Sequence, residues 1–562
     1  MSKTVLDRIN YFVALITEFA QAHHISTFMR KFWMMVWAVG MTFSLSAQPL
    51  DEVMFPGQSC TSIMVGRKAS ADGSVITSHT CDGRYRTWVA MEPAKDWPEG
   101  SMHKVYKGTL HTARHGATEG LTLAGEIPQA AHTYAYLNTA YPCMNEKQLA
   151  MGESTFSGPD TLVNKDNMFL IEELERVALM RCTTARDAIR LMGELIQKYG
   201  YADGGECLTI ADTKEVWQFE VCGAGKGEPG GVWVAQRVPD NEVAVSCNIP
   251  RIGKIDRSDT KNFMASDNVE AVALKYGLWD GQGDFIFWKA YNSSYGAGKN
   301  FREREFFILN ALAPSLHLSM DMPELPFSVK PDEKVDVRKV MALFRSTFKG
   351  TELDMTQNLK MPVKRKDSTG KIYTDTIASP VANPWMGNNM LNTFNYLQKD
   401  AVKFRRTVSV AWCSYSHIIQ LRDGLPDEIG GICWFSVDNP AESPRIPIFC
   451  GTSQLPSLFE RCGQHGYDDQ SIVWKYRKAN KLATVAWGRT RKTVEENVAY
   501  YEEKVLNDLP ALEDRVKDLK KGKNEKEIHT LLNGYTADIC GSTVLRWKEM
   551  EEKFWSMFGL GF

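Results

Sequence analysis

Apolar and polar residues alternate along both arms of GQSCTSIMVGRKASADGSVITSHTCDG, residues 57 to 83, with a turn-forming Ala-Asp-Gly between them. Period two on either side of a turn predicts a β-hairpin. The period then changes. In NMFLIEELERVALMRCTTARDAIRLMGELIQKYG, Ile189, Met192 and Ile196 recur at helical spacing, and Thr184 with Asp187 resembles a capping box. Strand alternation returns in ECLTIADTKEVWQFEVCG, GVWVAQRVP and EVAVSCNIPRIG, with ADTKE and VPDNE as turns. From about 255 to 400 the pattern is mixed, and MPVKRKDSTGKIYTDT predicts a polar, exposed loop. A second strand-rich block follows in TVSVAWCSYSHIIQL, IGGICWFSVDN and RIPIFCG. From about Thr493 the chain turns charged and helical, which predicts a pair of amphipathic helices packing on the body. This order predicts an α+β fold with antiparallel sheets, not a doubly wound parallel one.

The N-terminus has its own pattern. MRKFWMMVWAVGMTFSLSAQ, beginning at Met29, places Arg30 and Lys31 before an apolar run from Phe32 to about Leu45, then Ser-Ala-Gln. That is the layout of a secretory signal with cleavage after Ala47, and Met29 is read as the start. The run is shorter than the roughly 20 residues a spanning helix needs, so no stable membrane span is expected once the signal is removed. The expected location is periplasmic or extracellular. The composition of the 562 residues, 43% hydrophobic and 24% charged, excludes a disordered chain. The net charge of −2 gives no general attraction to nucleic acid or an anionic membrane. Fifteen Trp and nineteen Tyr suit aromatic-lined clefts. Export allows disulfides among the twelve cysteines, yet Cys207, Cys222, Cys247, Cys433 and Cys450 lie in strand-like runs, where a thiol acts as a small hydrophobe. If Cys60 works as a free thiol, eleven remain and one of those is unpaired too. No CxxC pair, Cys/His spacing or HExxH suggests zinc, and no GxGxxG or P-loop suggests a nucleotide.

Chemistry concentrates on the hairpin. Cys60 lies eleven residues before Ala71 and Asp82 eleven after it, so a regular hairpin centred on Ala71 sets Asp82 beside Cys60. His79 then lies near the same end, and Cys81 points to the opposite face. A carboxylate alone disfavours a thiolate. A base would come from the α-amine of Cys60 itself, with a reference pKa of about 7.7–8.0, if cleavage after Ser59 freed it. On these residues alone a packed strand cysteine remains the alternative.

The stretch CTSIMVGRKASADGSVITSHTCD resembles the mature N-terminus of the cysteine dipeptidases of the dipeptidase A type, which are N-terminal nucleophile hydrolases related to penicillin V acylase and bile salt hydrolase. The likeness continues in CMNEKQLAMGESTFSG, in residues 206 to 253 and in LPDEIGGICWFSVDNPAESPRIPIFCG. The resemblance implies a four-layer αββα sandwich over residues 60–490, after an extension and signal (1–47) and a pro-segment (48–59), with a helical C-terminal extension over 491–562. It implies Cys60 as the nucleophile, Asp82 as the acid closing an Arg-x-x-Asp element, and Asn248 as an oxyanion donor. It also implies Asn145 in a loop near the nucleophile and Glu153 as a contact for the substrate amine. His79 stands where that element has arginine, a departure that offers a weaker or pH-sensitive cation. His417 and Arg422 lie in and after an apolar strand, with little to place them in a site. The implied reaction is dipeptide hydrolysis through a thioester, with no metal and no organic cofactor; a homo-oligomer stays open. Two alternatives remain: the same nucleophile acting on N-acyl amino acids or conjugated bile salts, and a non-catalytic surface or binding protein whose Cys60 never becomes N-terminal.

Overall fold

The computed structural model describes residues 59–561 except 228–229 and 293–298; the expected signal and the pro-segment before Ser59 lie outside the described residues. The strands that build the centre are, in chain order, β1 Ser59–Val65, β2 Val75–Asp82, β3 Ala150–Thr155, β4 Gly205–Ala211, β5 Val216–Gly223, β6 Val243–Ser246, β7 Cys413–Leu421, β8 Gly431–Val437 and β9 Ile446–Phe449. One sheet runs Ser328–Val329, β6, β1, β2, β7, β8, β9. The other runs Phe263–Ala265, Gly231–Arg237, β5, β4, β3, Met144–Asn145, Tyr136–Asn138, Ala90–Glu92. All neighbours are antiparallel, as the alternation predicted. The ADTKE turn closes because Asp212 Oδ1 accepts from the N–H groups of Lys214 and Glu215 at 2.8 and 3.1 Å.

The two sheets meet closely where β2 faces β3. A Cβ on Gly152 would lie 2.4 Å from the carbonyl oxygen of Ser78, so only glycine fits there. Beside it the hydroxyls of Thr77 and Thr209 bridge the sheets at 2.5 Å. That approach brings Glu153, the next residue, against the start of the first sheet.

Helices α1 (Ile171–Arg181) and α2 (Ala185–Tyr199) serve the second sheet, with α2 packing on β4 and β5. Thr184 caps α2 by accepting the Asp187 N–H, and Ile189, Met192 and Ile196 are buried, both as the pattern predicted. Helix α3 spans Lys299–Leu312 and packs near β6. The C-terminal helices are α4 (Ile472–Val485), α5 (Trp487–Lys521) and α6 (Glu525–Phe558). Helix α4 packs on β8 and α6 on β9. Trp547 of α6 is buried and donates to Glu442 O at 3.1 Å and Asn480 Oδ1 at 3.0 Å, which fastens the tail to the body. Among the described residues no helix is long and apolar enough to cross a membrane.

One expectation is corrected. The polar loop at MPVKRKDSTGKIYTDT is a two-stranded hairpin, Lys360–Lys366 with Ile372–Ala378, though it is exposed as expected. Its turn is built by Asp367 Oδ1, which accepts from the N–H of Thr369 and Lys371, and by Gly370 at φ 87°. Those contacts give a two-stranded unit whose few apolar residues, such as Met361, Ile372 and Tyr373, stay exposed among charged neighbours, so no buried face announced it.

Candidate active site

The hairpin carries the site, in a register one residue away from the expected one. Ser59 pairs with Asp82, Cys60 with Cys81 and Thr61 with Thr80. Cys81, not Asp82, is therefore opposite Cys60, and the two cysteines share a face. Register follows loop geometry, and residues 66–74 do not form a tight turn centred on Ala71. The loop is tied to other segments instead: Gly66 N–H donates to Glu242 O, Lys68 N–H to Asp240 O and Ala71 N–H to Val335 O, at 2.7–2.9 Å. Asp72 collects the Ser70 and Ser74 hydroxyls at 2.7 and 2.6 Å, which sets the last bend.

Cys60 is 1% exposed. Its backbone N–H donates to Asn248 Oδ1 at 2.8 Å, and its thiol donates to Glu153 Oε2 at 3.3 Å. Burial pushes the thiol well above its ordinary pKa, with Glu153, Cys81 and Asp82 adding to the rise. With residue 59 attached the sulfur is a protonated thiol, and the adjacent nitrogen is an amide with no basicity.

Two arginines that sequence reasoning missed organise this end of β1. Arg304, on α3, donates to the Cys60 carbonyl, to Thr61 Oγ1 at 2.8 Å, to Cys247 O at 3.0 Å and to Asn248 Oδ1 at 2.8 Å. Burial, then the neighbouring Arg406, lowers its pKa to about 10, which still leaves it a cation at neutral pH. Arg406 donates to Asp82 Oδ2 and, through Nε, to Ser59 Oγ at 2.9 Å. The cation on Asp82 thus comes from a distant segment, not from position 79. Neither arginine carries a local signature; the fold alone brings FRERE and KFRRT to the hairpin.

His79 is fully buried and stacks on His417, ring centroids 5.4 Å apart. Its Nδ1 lies 2.6 Å from the carbonyl oxygen and 2.9 Å from the N–H of Glu153, so either tautomer finds a backbone partner. Burial lowers its pKa despite Glu153, so the ring is neutral at pH 7. Its contact orients Glu153. That carboxylate also accepts from Thr155 Oγ1 at 2.8 Å, and it pushes the buried Glu206 well above the carboxylate range, second to desolvation. Asn248 sits at φ 63°, with its N–H on Ser154 Oγ at 2.7 Å and its Nδ2 on Thr155 O at 2.6 Å. Its amide oxygen therefore faces the Cys60 nitrogen. Asn145 is committed elsewhere: Nδ2 donates to Leu179 O and Cys182 O, and Oδ1 accepts from the N–H of Lys147 and Leu149, at 2.8–3.0 Å. It ties the strand at 144–145 to the end of α1. Arg422 caps a loop by donating to Gly430 O at 3.1 Å and pairs with Glu513.

The loop carrying Asn248 is held by a buried carboxyl. Glu220 Oε1 accepts from the N–H of Arg251 and Ile252 at 2.5 and 3.2 Å and from Gln218 Nε2 at 2.6 Å. Burial raises its pKa to about 7, against the pull of those donors. A folded-state pKa above the unfolded value of about 4.3 means that the folded protein binds the proton more tightly, so stability is lost as pH rises from that value through about 7. Relative to Glu220→Gln, the wild-type protein should lose up to about 3 kcal/mol between pH 4.5 and 8. Urea unfolding of both proteins across that range measures it, and parallel pH curves would contradict it.

Cys60 Sγ, His79 and Glu153 offer ligand atoms within 4.8 Å of one another, so the site could hold a thiophilic ion, at the cost of its nucleophile.

At this site a buried cysteine near the head of an interior strand has its nitrogen held by an amide oxygen and its sulfur by a carboxylate. Residues 59–500 match Peptidase family C69, and the chain belongs to that family; it is a peptide-bond hydrolase. It is similar to a probable dipeptidase B of Streptococcus pyogenes serotype M1, 24% identical over 465 residues covering 79% of this chain and 82% of that protein. It is likewise similar to a probable dipeptidase of Latilactobacillus sakei, 25% identical over 71% of this chain and 76% of the relative. A probable dipeptidase of Salmonella dublin is 25% identical over 70% and 81%.

Proposed function

We propose that the protein is an exported cysteine dipeptidase whose nucleophile is Cys60 as the first residue of the mature chain, in a four-layer αββα sandwich of the N-terminal nucleophile type. The observation that carries this reading is the Cys60 nitrogen, buried and held by Asn248 Oδ1 at 2.8 Å. Once the Ser59–Cys60 bond is cut, that nitrogen becomes an amine with an acceptor already in place, next to the sulfur it must deprotonate.

In the reaction the thiol proton passes to the α-amine and Sγ attacks the dipeptide carbonyl carbon. The tetrahedral oxyanion collapses, the peptide C–N bond breaks, and the amine returns the proton to the leaving nitrogen. Water, deprotonated by the same amine, then hydrolyses the thioester. Asn248 holds the amine in the state described; swinging its Nδ2 off Thr155 O supplies an oxyanion donor. Asp82 and Arg406 anchor the strand end that residue 59 vacates. Glu153, with Glu206 beside it, gives the pocket the acidic feature that a free α-ammonium requires.

The test is the N-terminal residue of the protein recovered from the exported fraction, followed by turnover of dipeptides, N-acyl amino acids and conjugated bile salts. The expected result is a chain beginning at Cys60 that hydrolyses dipeptides. A folded, active protein that begins at Gln48 or earlier removes the amine from the reaction, and preference for bile salts or N-acyl amino acids moves the enzyme to the acylase reading.

A further inference from the structure

No cysteine and histidine spacing in the chain suggests a metal, yet besides the group around Cys60 the fold collects a second cluster from residues well apart in sequence. Cys143, His417 and Cys433 are all buried, and their sulfur and ring-nitrogen atoms lie within 4.8 Å of one another. The sheet register explains the cluster. His417 of β7 pairs with Phe435, and Cys433 of β8 pairs with Ile419, so His417 and Cys433 are diagonal neighbours on one face of the first sheet. His417 also pairs with His79, which bonds to Glu153, so this face is turned toward the second sheet. Cys143 directly precedes the Met144–Asn145 strand of that second sheet. Its N–H donates to Leu137 O at 3.2 Å and its carbonyl accepts the Met151 N–H at 2.8 Å, which fixes its backbone.

His417 is the anomaly. It is 0% exposed, and neither Nδ1 nor Nε2 has a hydrogen-bond partner among the described residues. A neutral imidazole carries one donor and one acceptor, and burying both idle forfeits their solvation for no return. His79, stacked on the same ring, finds backbone partners for its Nδ1; His417 finds none among the described residues. A ring nitrogen within 4.8 Å of two sulfurs is satisfied by a thiophilic cation that all three bind.

We propose that Cys143, His417 and Cys433 form a structural metal site that takes one zinc ion and ties the two sheets together. Two thiolates and a neutral imidazole around a divalent ion sum to zero charge, which suits a site with no access to water. As the ion binds, each thiol releases its proton to solvent. Zinc favours this donor set and four ligands in a closed structural site. Cys450 is the nearest source of a fourth ligand, and would bind as a neutral thiol if the zero charge is to be kept: its N–H donates to Gly431 O at 3.0 Å, two pairs along from Cys433, and its thiol now rests on Asn145 O at 3.1 Å. The site is separate from the nucleophile, since Cys60 contributes nothing to it.

The experiment uses the full chain purified without chelator, with metal content read by elemental analysis and disulfides by mass spectrometry of the unreduced protein. The expected result is one zinc per chain in the wild type, in Cys60→Ala and in the buried-cysteine control Cys222→Ser, and its loss in Cys143→Ser and Cys433→Ser. Should those two variants fail to fold, cobalt replacement in Cys60→Ala decides the matter without them. An intense near-ultraviolet thiolate-to-cobalt band is expected there, because the active-site sulfur is gone. Absence of that band, absence of zinc even after reconstitution of the reduced chain, zinc that disappears with Cys60, or a Cys143–Cys433 disulfide each overturns the proposal.

Discussion

Cys60→Ala is expected to hydrolyse no dipeptide and to keep residue 59 attached. The loss should be on the order of 10⁴-fold or more, as when the nucleophile is removed from other covalent hydrolases. Alanine fits the space of a side chain that is 1% exposed, and it leaves the Cys60 backbone bonds to Asn248 and Arg304 in place. The fold should therefore survive, and the intact mass and N-terminal residue report on processing separately from activity. Cys60→Ser sharpens the point. A hydroxyl can still attack the Ser59 carbonyl carbon, so slow processing with little turnover is the pattern for a residue that serves both steps. A Cys60→Ala chain that is still trimmed to residue 60 assigns the cut to another protease and leaves the hydrolytic role intact. A Cys60→Ala chain that still turns over dipeptides at the wild-type rate removes the nucleophile altogether.

The second large effect lies one residue away, on the other face of the hairpin. Asp82 is fully buried; its Oδ2 accepts from Arg406 and from Thr80 Oγ1 at 3.0 Å, and its Oδ1 has no partner among the described residues. Arg406→Met removes the cation and leaves the carboxylate alone in the interior. Breaking a buried pair in this way typically costs about 3–5 kcal/mol. Arg406→Met/Asp82→Asn should recover much of that loss, because it removes the stranded charge as well as its partner. Urea unfolding of the four proteins of the cycle measures the coupling. If the double variant is as unstable as the sum of the single ones, the two residues act independently and Arg406 is not the counter-ion of Asp82.

These residues also mark how far the sequence could be read. Alternation identified the strands that carry Cys60 and the loop at Asn248, because each has a period of two and ends next to Gly, Asp or Asn; the strand of Glu153 was marked only by the family resemblance. The Thr184 cap and the Ile189–Met192–Ile196 stripe identified α2, because helix ends and faces are written locally. Register was a different matter. Counting outward from Ala71 assumed a tight turn, whereas Asp240 O and Val335 O, remote in sequence, hold the loop and shift the pairing by one. The arginine missing at position 79 was legible as an absence, but its replacement was not. Arg304 and Arg406 reach the site from segments 244 and 324 residues away from Cys60 and Asp82, and no local pattern encodes such a meeting. Asn145 illustrates the converse: its motif pointed to the site, while two of its side-chain hydrogen bonds close its own loop and two join its strand to the end of a helix.

Strand β1 has neighbours on both sides, β6 and β2. The ends of polypeptides usually fray, since a terminal residue has half the tethers of an interior one. A chain cut before Cys60 would acquire its new end in the middle of a sheet, with Arg304 on the Cys60 carbonyl and Asn248 on its nitrogen. Such an end has nowhere to wander, so base and nucleophile lose little freedom when substrate arrives. The same confinement has a practical side: anything fused to Cys60 would leave its nitrogen an amide, so affinity handles belong beyond the last helix, Glu525–Phe558.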